Sequence, residues 1–294
     1  IQFTKMSKIL NFLPKLTGSF ALPASENPTI EMVEAAYRHH KMHMRYINVE
    51  VGPDNLAKAI EGAIAMGWVG FNCSIPNKIE VIQYIDRLAK SAEIIGAVNC
   101  VVIKENELIG ENTDGKGFIK SLETIVNPKG KNAVVFGAGG ASRAICVELA
   151  FSGVKKITIV NRSKKKGTDL AELVNKNTKT KALFKEFVDQ FSLDPKTDLV
   201  INATSVGLFP DVDSDLPINY NTLTKNMIVA DVIPNPPKTK FLKNCSAIGC
   251  QTIDGLGMLV NQGVACIELW TGIKVDETVM RSRLEEITLK SRNW

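Results

Sequence analysis

The sequence has few features that would place it in a membrane or link it covalently. No apolar run approaches the ~20 residues needed to cross a bilayer, although 45% of the 294 residues are hydrophobic. Lys5 and Lys8 lie near the N-terminus, but no apolar core of a secretory signal accompanies them. The six cysteines include no C-x-x-C pair, which argues against disulfides and a zinc site. We therefore expect a reduced, cytoplasmic, globular protein without a metal.

The net charge is small, and histidine is scarce. The net charge of +5 comes from 36 basic and 31 acidic residues, a mild excess that suits an enzyme acting on small anions better than a nucleic-acid binder. The three histidines, His39, His40 and His43, lie near the end of one predicted helix. The spacing of His39 and His43 could hold a metal, but no second cluster accompanies them. We expect a small-molecule substrate, no nucleic-acid or membrane partner, and a monomer or homodimer.

Strand-like and helix-like patterns alternate along the chain, which indicates an α/β protein of two domains. We predict an N-terminal α/β substrate domain over 1–113, in which Asn27 caps a helix opened by Pro28. A Rossmann-type domain with a doubly wound parallel sheet is predicted over 114–254. The helices of 255–294, the last capped by Asp276, are expected to pack back against the first domain.

The second domain contains a predicted βαβ unit. Residues 132–136 (NAVVF) form an apolar run typical of a buried parallel strand, and a helix at 141–151 and a strand at 156–161 follow. The loop between strand and helix is glycine-rich, so its backbone can approach a pyrophosphate at the helix N-terminus. The alternative is an ordinary tight turn. The predicted phosphate loop consists of Gly137, Ala138, Gly139, Gly140 and Ala141.

The end of the second strand of this unit favours NADP over NAD. An acidic residue there would bind the ribose 2′-hydroxyl of NAD, but the sequence reads Asn161-Arg162-Ser163-Lys164-Lys165-Lys166. Arg162 can bind a 2′-phosphate through its planar guanidinium, and Ser163 and Lys166 can add donors. The alternative is a solvated basic turn. Because the turn occurs where the 2′-phosphate should lie, we predict NADP(H) as the cofactor, with Asn161 also in contact.

A hydride-transferring enzyme also needs a proton donor, and lysine can serve when histidine is not available. Lys78 follows a predicted strand and Pro76, and Asp114 ends a strand ahead of the dinucleotide unit. Taken alone, these two are a surface lysine and a helix cap. Tyr37 and Lys41 match the short-chain dehydrogenase spacing, but they precede the glycine loop and are discarded.

Eight segments together resemble the shikimate dehydrogenase family over nearly the whole chain. They are GFNCSIPNK (70–78), IGAVN (95–99), NTDGKGF (112–118), VFGAGGASRA (135–144), NRSKKK (161–166), INATSVG (201–207), DVIPNPPKT (231–239) and DGLGMLVNQG (254–263). The resemblance implies NADP-dependent, reversible reduction of 3-dehydroshikimate to shikimate, a step in aromatic amino acid biosynthesis. It also implies that Lys78 and Asp114 form a catalytic dyad.

The resemblance further implies the binding residues. Those expected to hold the ring hydroxyls and carboxylate of the substrate, or to support that loop, are Ser25, Asn27, Asn72, Ser74, Asn99 and Gln262. Those expected to line the rest of the cofactor cleft are Ala203, Thr204, Ser205, Val232 and Gly255.

Three positions depart from the family pattern. Asn27 stands where the family has a second serine, Pro234 where it has a tyrosine, and Asn77 where histidine is frequent. The first two touch predicted substrate contacts, so quinate or another cyclic polyol acid stays an alternative substrate. A methylenetetrahydrofolate dehydrogenase is disfavoured by the NTD and QG segments. A dinucleotide-binding module without turnover is the alternative outside enzymes.

Overall fold

Two six-stranded β-sheets organise the chain, and the computed structural model describes residues 11–290 of it. Lys5 and Lys8, on which the expectation about a secretory signal depends, lie outside this range. Across 11–290, no helix combines the length and apolar character needed to span a membrane. The α/β class with a Rossmann-type sheet is confirmed.

The first sheet is mixed, with the strand order β2–β1–β3–β5–β6–β4. β1 pairs in parallel with β2 and β3, whereas β5 is antiparallel to both β3 and β6. The β5–β6 hairpin turns at Glu105 and Asn106, which both have positive φ, as a two-residue hairpin turn of the primed type requires. The strands are β1 Lys15–Ala21, β2 Met44–Glu50, β3 Gly70–Cys73, β4 Arg87–Leu88, β5 Cys100–Lys104 and β6 Glu107–Glu111.

The second sheet is entirely parallel, with the order β12–β11–β10–β7–β8–β9. From β7 the chain extends the sheet through β8 and β9 on one side, then through β10 to β12 on the other. This reversal opens a crevice at the carboxyl ends of β7 and β10, where such sheets bind ligands. The strands are β7 Asn132–Phe136, β8 Lys156–Asn161, β9 Lys181–Glu186, β10 Leu199–Asn202, β11 Ile228–Asp231 and β12 Gln251–Ile253.

Ten α-helices surround the two sheets in the described range, and short 3₁₀ turns cover Val81–Tyr84 and Tyr220–Thr222. The helices are α1 Thr29–His39, α2 Pro53–Ala65, α3 Asn77–Glu80, α4 Lys90–Ile95, α5 Asp114–Glu123, α6 Gly140–Phe151, α7 Lys164–Asn177, α8 Lys240–Ile248, α9 Gly255–Thr271 and α10 Glu277–Lys290.

Helix α9 links the two sheets. Its N-terminus follows β12 of the second sheet, and its C-terminal half shares a buried core with α1 and α10 that includes Met32, Val264 and Met280. Helix α5 crosses α9 closely because Gly117 has no side chain: a Cβ there would lie 2.5 Å from the Gln262 backbone nitrogen. The middle of α9 is thereby held against α5, and its C-terminal half against α1 and α10.

The caps of two helices test the sequence predictions. Asp276 caps α10 as predicted, since its Oδ1 accepts the Thr278 N–H at 2.8 Å. The prediction that Asn27 is the N-cap of α1 is wrong by one residue, because Pro28 occupies that position. Asn27 instead forms a turn ahead of the helix, in which its Oδ1 accepts the Thr29 N–H at 3.0 Å.

Candidate active site

Lys78 and Asp114 meet where two strands of the first sheet end. Lys78 is on α3, which follows β3, and Asp114 is the first residue of α5, which follows β6. The Lys78 Nζ donates to Asp114 Oδ2 at 2.6 Å. The two side chains are 31% and 19% exposed, so the ion pair is partly shielded from water yet reachable from a cavity.

The amide of Asn99 holds the other oxygen of this carboxylate. Asn99 Nδ2 donates to Asp114 Oδ1 at 2.9 Å and to Thr113 Oγ1 at 2.9 Å. Asn99 Oδ1 accepts the Thr113 N–H at 2.7 Å, and Gln262 Oε1 lies 3.4 Å from Asn99 Nδ2. Asn99 and Gln262 are 3% and 7% exposed. One carboxylate oxygen of Asp114 is therefore oriented by a nearly buried amide and the other by the Lys78 ammonium.

Asn72 supports this region from β3. Its Oδ1 accepts from the Tyr46 hydroxyl at 2.9 Å, and its Nδ2 donates to the Asn99 carbonyl at 2.8 Å. Asn77, to which no role was assigned from the sequence, is fully buried and donates to the Phe20 and Val51 carbonyls. These contacts attach the segment between Asn72 and Lys78 to its neighbouring strands.

A cavity of about 200 Å³, here called the substrate cavity, contains the ion pair. Among the described residues that line it, Lys78 and Asp114 are the charged ones, so their pairing leaves the cavity without net charge. Neutral amides and hydroxyls supply the other polar groups. Its lining is Asn27, Thr29, Asn72, Cys73, Ser74, Lys78, Asn99, Asp114, Val232, Pro234, Gly255, Met258, Leu259 and Gln262.

The predicted substrate residues are brought together with one exception. Ser25 is exposed and lies in a turn outside the lining of the substrate cavity. Asn27 does line it, but much of its amide is already bonded, because Oδ1 caps Thr29 and Nδ2 lies 3.4 Å from Ser19 Oγ. Thr29, Cys73, Met258 and Leu259 also line it, and none of them was predicted. Cys73 is on β3 and the other three are on helices, and the residue pattern of these elements gives no sign that they face a cavity.

A second cavity, here called the cofactor cavity, has a volume of about 550 Å³ at the carboxyl ends of the second sheet. Nine predicted cofactor residues line it: Gly137, Ala138, Gly139, Asn161, Arg162, Lys166, Ala203, Thr204 and Ser205. Five unpredicted residues complete it: Phe187, Val188, Asp189, Val206 and Pro217. Val206 belongs to the INATSVG segment, whereas the other four follow β9 or lie in a later loop, where no motif marks them.

The glycine loop has the shape that a pyrophosphate requires. Gly137 has φ of +106°, and a Cβ there would lie 2.7 Å from the Ala203 carbonyl oxygen. No atom lies within 4 Å of a Cβ placed on Gly139 or Gly140, so the loop faces open space at the N-terminus of α6. Ser142, where the dinucleotide fingerprint has a third glycine, is fully buried and donates to the Gly137 carbonyl at 2.7 Å.

Five predicted cofactor residues lie outside the lining of the cofactor cavity, three of them at the starts of helices α6 and α7. Gly140 and Ala141 begin α6, and Ser163 is the N-cap of α7, where its Oγ accepts the Lys166 N–H. None of these three is among the described residues that line the cofactor cavity. Arg162 and Lys166 line it from exposed positions. Asp189 also lines the cofactor cavity and adds a carboxylate, which the residues at the end of β8 did not predict.

Val232 and Gly255 lie in the substrate cavity instead, at the border between the two sheets. A side chain at Gly255 would collide with the Ile233 backbone. Beneath them, Asp231 is 1% exposed and accepts from Asn202, Thr239 and the Ile233 N–H. Burial raises the pKa of Asp231 to about 6, although these hydrogen bonds oppose the shift.

A glycine loop at the switch point of a parallel sheet, with basic residues after its second strand, fits a dinucleotide. A lysine–carboxylate pair in the adjoining cavity can transfer a proton. Together these features define a two-domain oxidoreductase of the dinucleotide-dependent class.

Comparison with known proteins identifies the family. Three family models match: the shikimate dehydrogenase substrate binding domain over 20–101, shikimate/quinate 5-dehydrogenase over 120–237, and the shikimate 5′-dehydrogenase C-terminal domain over 255–285. A shikimate dehydrogenase (NADP(+)) of Methanococcus aeolicus is 38% identical over 280 residues, which cover 95% of this chain and 100% of that protein. The chain belongs to the shikimate dehydrogenase family, as the sequence resemblance predicted.

Two solved structures are similar over almost their whole length. The ligand-free 5-ketofructose reductase of Gluconobacter sp. strain CHM43 is 53% identical, with a TM-score of 0.93, covering 94% of this chain and 100% of that one. A shikimate dehydrogenase in complex with NADP+ is 35% identical, with a TM-score of 0.88, covering 97% and 99%.

Proposed function

We propose that this protein catalyses the NADP-dependent, reversible reduction of 3-dehydroshikimate to shikimate. The observation that carries the proposal is the Lys78–Asp114 ion pair of 2.6 Å, set among neutral amides in the substrate cavity. NADP dependence is the property named for the Methanococcus aeolicus relative. It is also what the basic residues Arg162 and Lys166 in the cofactor cavity favour.

The residues of the substrate cavity account for the proton transfer. Bound NADPH supplies the hydride for the ring carbonyl. Lys78, as an ammonium, stabilises the negative charge that develops on the carbonyl oxygen and protonates it. Asp114 keeps the Lys78 Nζ in place, and Asn99 keeps Asp114 in place. In the oxidative direction Lys78 accepts the hydroxyl proton.

Substrate binding rests on neutral hydrogen-bonding groups. Ser74, Asn99 and Gln262 face the same cavity as the ion pair and would bind ring hydroxyls. Asn72 has its amide committed to Tyr46 and Asn99 and acts as support. A cavity built from several polar groups discriminates against a substrate that leaves one of them unpaired.

A second substrate, 5-ketofructose, is favoured by two observations. The 5-ketofructose reductase is 53% identical to this chain. Moreover, the described lining of the substrate cavity offers a carboxylate no cation beyond the paired Lys78, and Asn27 stands where the family has a serine. 5-Ketofructose is an uncharged polyhydroxylated ketone, which such a lining can bind through hydrogen bonds alone.

A panel of substrates tests the proposal. Initial rates with NADPH are measured for 3-dehydroshikimate, for 5-ketofructose and, in the oxidative direction with NADP, for shikimate and quinate. The proposal expects the highest kcat/KM for the 3-dehydroshikimate–shikimate pair. A kcat/KM for 5-ketofructose about a hundredfold higher than that for 3-dehydroshikimate would identify 5-ketofructose as the substrate. The proposed roles of Lys78 and Asp114 would be unchanged. Cofactor binding without turnover of any of them would indicate the dinucleotide-binding module instead.

Three further properties are the domain boundaries, the location in the cell and the oligomeric state. We infer a substrate domain of 1–113 completed by 255–294, and a cofactor domain of 114–254, in agreement with the two separate sheets. We also propose a cytoplasmic location, since all six cysteines are free and buried. Either a monomer or a homodimer is compatible with the proposed chemistry, and sedimentation of the purified protein decides between them.

A further inference from the structure

A cysteine thiol lies beneath the substrate cavity, and the proposed mechanism gives it no role. Cys266 is on α9, one turn after Gln262, and its side chain is fully buried. It belongs to the apolar core formed by α1, α9 and α10, yet its sulfur contacts polar side chains from two other segments and one from α9 itself. Packing alone does not require such contacts.

Three side chains of the site meet at the Cys266 sulfur. Asn72 Nδ2 donates to it at 3.1 Å, and Thr113 Oγ1 lies 3.3 Å from it. The Cys266 thiol in turn donates toward Gln262 Oε1 at 3.9 Å. One sulfur thus contacts three residues of the site. Asn72 supports the segment before Lys78, Thr113 precedes Asp114, and Gln262 lines the substrate cavity.

The number of hydrogens on each polar group indicates which atoms donate in this cluster. Asn99 Nδ2 has two hydrogens, and its two short contacts, at 2.9 Å each, are Asp114 Oδ1 and Thr113 Oγ1. Thr113 Oγ1 is then an acceptor toward Asn99, and its single proton can go to Asn99 Oδ1 at 3.2 Å or to the Cys266 sulfur at 3.3 Å. Because Asn99 Oδ1 already accepts the Thr113 N–H at 2.7 Å, we assign the proton to the sulfur. Without the sulfur this proton would turn to Asn99 Oδ1, and the added contact would change how the Asn99 amide is oriented toward Asp114.

The surroundings of the sulfur make it a good acceptor. Burial by itself raises the pKa of the Cys266 thiol, but hydrogen bonds from Cys100, Thr113 and Asn72 outweigh burial and lower it. The Asn72 amide from β3 and the Thr113 hydroxyl at the start of α5 are the donors that contact this sulfur.

We propose that Cys266 is a positioning residue, whose sulfur fixes the Thr113 hydroxyl and the Asn72 amide and thereby directs the Asn99 amide onto Asp114. The inference rests on the proposed proton transfer by Lys78 and Asp114. It adds a residue that contacts neither substrate nor cofactor but orients the groups that do.

Variants at Cys266 separate positioning from packing. Cys266→Ala removes the acceptor, whereas Cys266→Ser keeps a group that accepts and donates. We expect Cys266→Ala to lower kcat about tenfold, the effect of one misdirected hydrogen bond, with the KM for NADPH unchanged and the pH profile of kcat shifted. Cys266→Ser should recover most of the rate and the wild-type profile. Cys245→Ala, which truncates another fully buried cysteine far from the site, is the matched control and should change neither.

Crystal structures of the two Cys266 variants provide a readout independent of turnover. In Cys266→Ala the contact of Asn99 Nδ2 with Asp114 Oδ1 should be lost, and in Cys266→Ser it should persist. An alanine variant that keeps this contact and the wild-type pH profile would overturn the inference. If the wild type reduces none of the tested ketones while the alanine variant still loses the contact, the proposed function fails and the positioning role stands.

Discussion

The cofactor cavity and the substrate cavity draw their residues from very different stretches of chain. The cofactor cavity is lined by residues between Gly137 and Pro217, all from the carboxyl edge of one parallel sheet. The substrate cavity is lined by residues between Asn27 and Gln262, which arrive from both sheets and from α9. A motif contiguous in sequence can thus describe much of the first cavity, whereas only the assembled fold describes the second.

The two cavities also differ in how their polar groups are held. Arg162 and Lys166 reach the cofactor cavity from exposed positions. Asn99 and Gln262 are nearly buried and bonded to each other, and Asn99 is also bonded to Asp114. Exposed charges act independently and are screened by salt, whereas a buried network responds as a unit. Substitutions should therefore have separable effects in the first cavity and coupled ones in the second.

The largest effect is expected from Asp114→Asn. The amide cannot hold the Lys78 ammonium as a carboxylate does, so we expect kcat to fall about a hundredfold while the Kd of NADPH changes less than about twofold. Steady-state kinetics and fluorescence titration measure the two quantities. Glu111→Gln is the control, because it breaks an ion pair of the same 2.6 Å length, to Lys116, outside the substrate cavity. Equal losses in both variants would refute a special role for Asp114.

Arg162→Ala should separate the two cofactors. Loss of the guanidinium removes the group that we propose as the principal partner of a 2′-phosphate, so the KM for NADPH should rise about thirtyfold and that for NADH should change little. Lys165→Ala removes an exposed charge three residues along the chain that pairs with Asp169 and does not line the cofactor cavity. This control should leave both constants nearly unchanged. A parallel rise for NADH in the Arg162 variant would count against 2′-phosphate recognition.

Asn27→Ser tests the choice of substrate. The smaller hydroxyl restores the family's residue, so kcat/KM for 3-dehydroshikimate should rise about fivefold relative to that for 5-ketofructose. The ratio of the two specificity constants is the measurement, and the KM for NADPH in the same variant is an internal control. An unchanged ratio would mean that Asn27 does not determine which ketone is bound.

The smallest effect concerns stability. The pKa of Asp231 is raised from 3.8 to about 6, so the folded state binds a proton that the unfolded state releases between these values. This group therefore favours the fold more as pH falls, and its contribution is lost as pH rises through about 6. Relative to Asp231→Asn, the wild type should gain about 1 kcal/mol of unfolding free energy between pH 7.5 and pH 5. Urea unfolding at both pH values measures the gain, and a difference of opposite sign would contradict the raised pKa.

Sequence reasoning succeeded where structure is local. The βαβ unit, its glycine loop and the basic end of β8 are all contiguous, and Gly137, Arg162 and Lys166 line one cavity as expected. The predicted bounds of β7, α6 and β8 also agree with the structure to within about two residues, the usual uncertainty of helix and strand ends.

Long-range assembly limited the remaining predictions. Lys78 and Asp114 were individually unremarkable in the sequence, and the family resemblance was needed to pair them. Ser25 has the right residue type but sits in an exposed turn. Asp189 enters the cofactor cavity from a loop after β9, and Cys266 joins Asn72 and Thr113 across distant segments. Such contacts depend on how α9 packs against both sheets, which periodicity does not encode.

Lys78→Ala tests the central claim most directly, because it removes the proposed proton donor and leaves the cofactor cavity untouched. Single-turnover reduction of 3-dehydroshikimate by NADPH, with the Kd of NADPH measured on the same samples, should give a rate about a thousandfold below wild type and an unchanged Kd. A variant that binds NADPH normally and reduces the ketone at the wild-type rate would contradict the account.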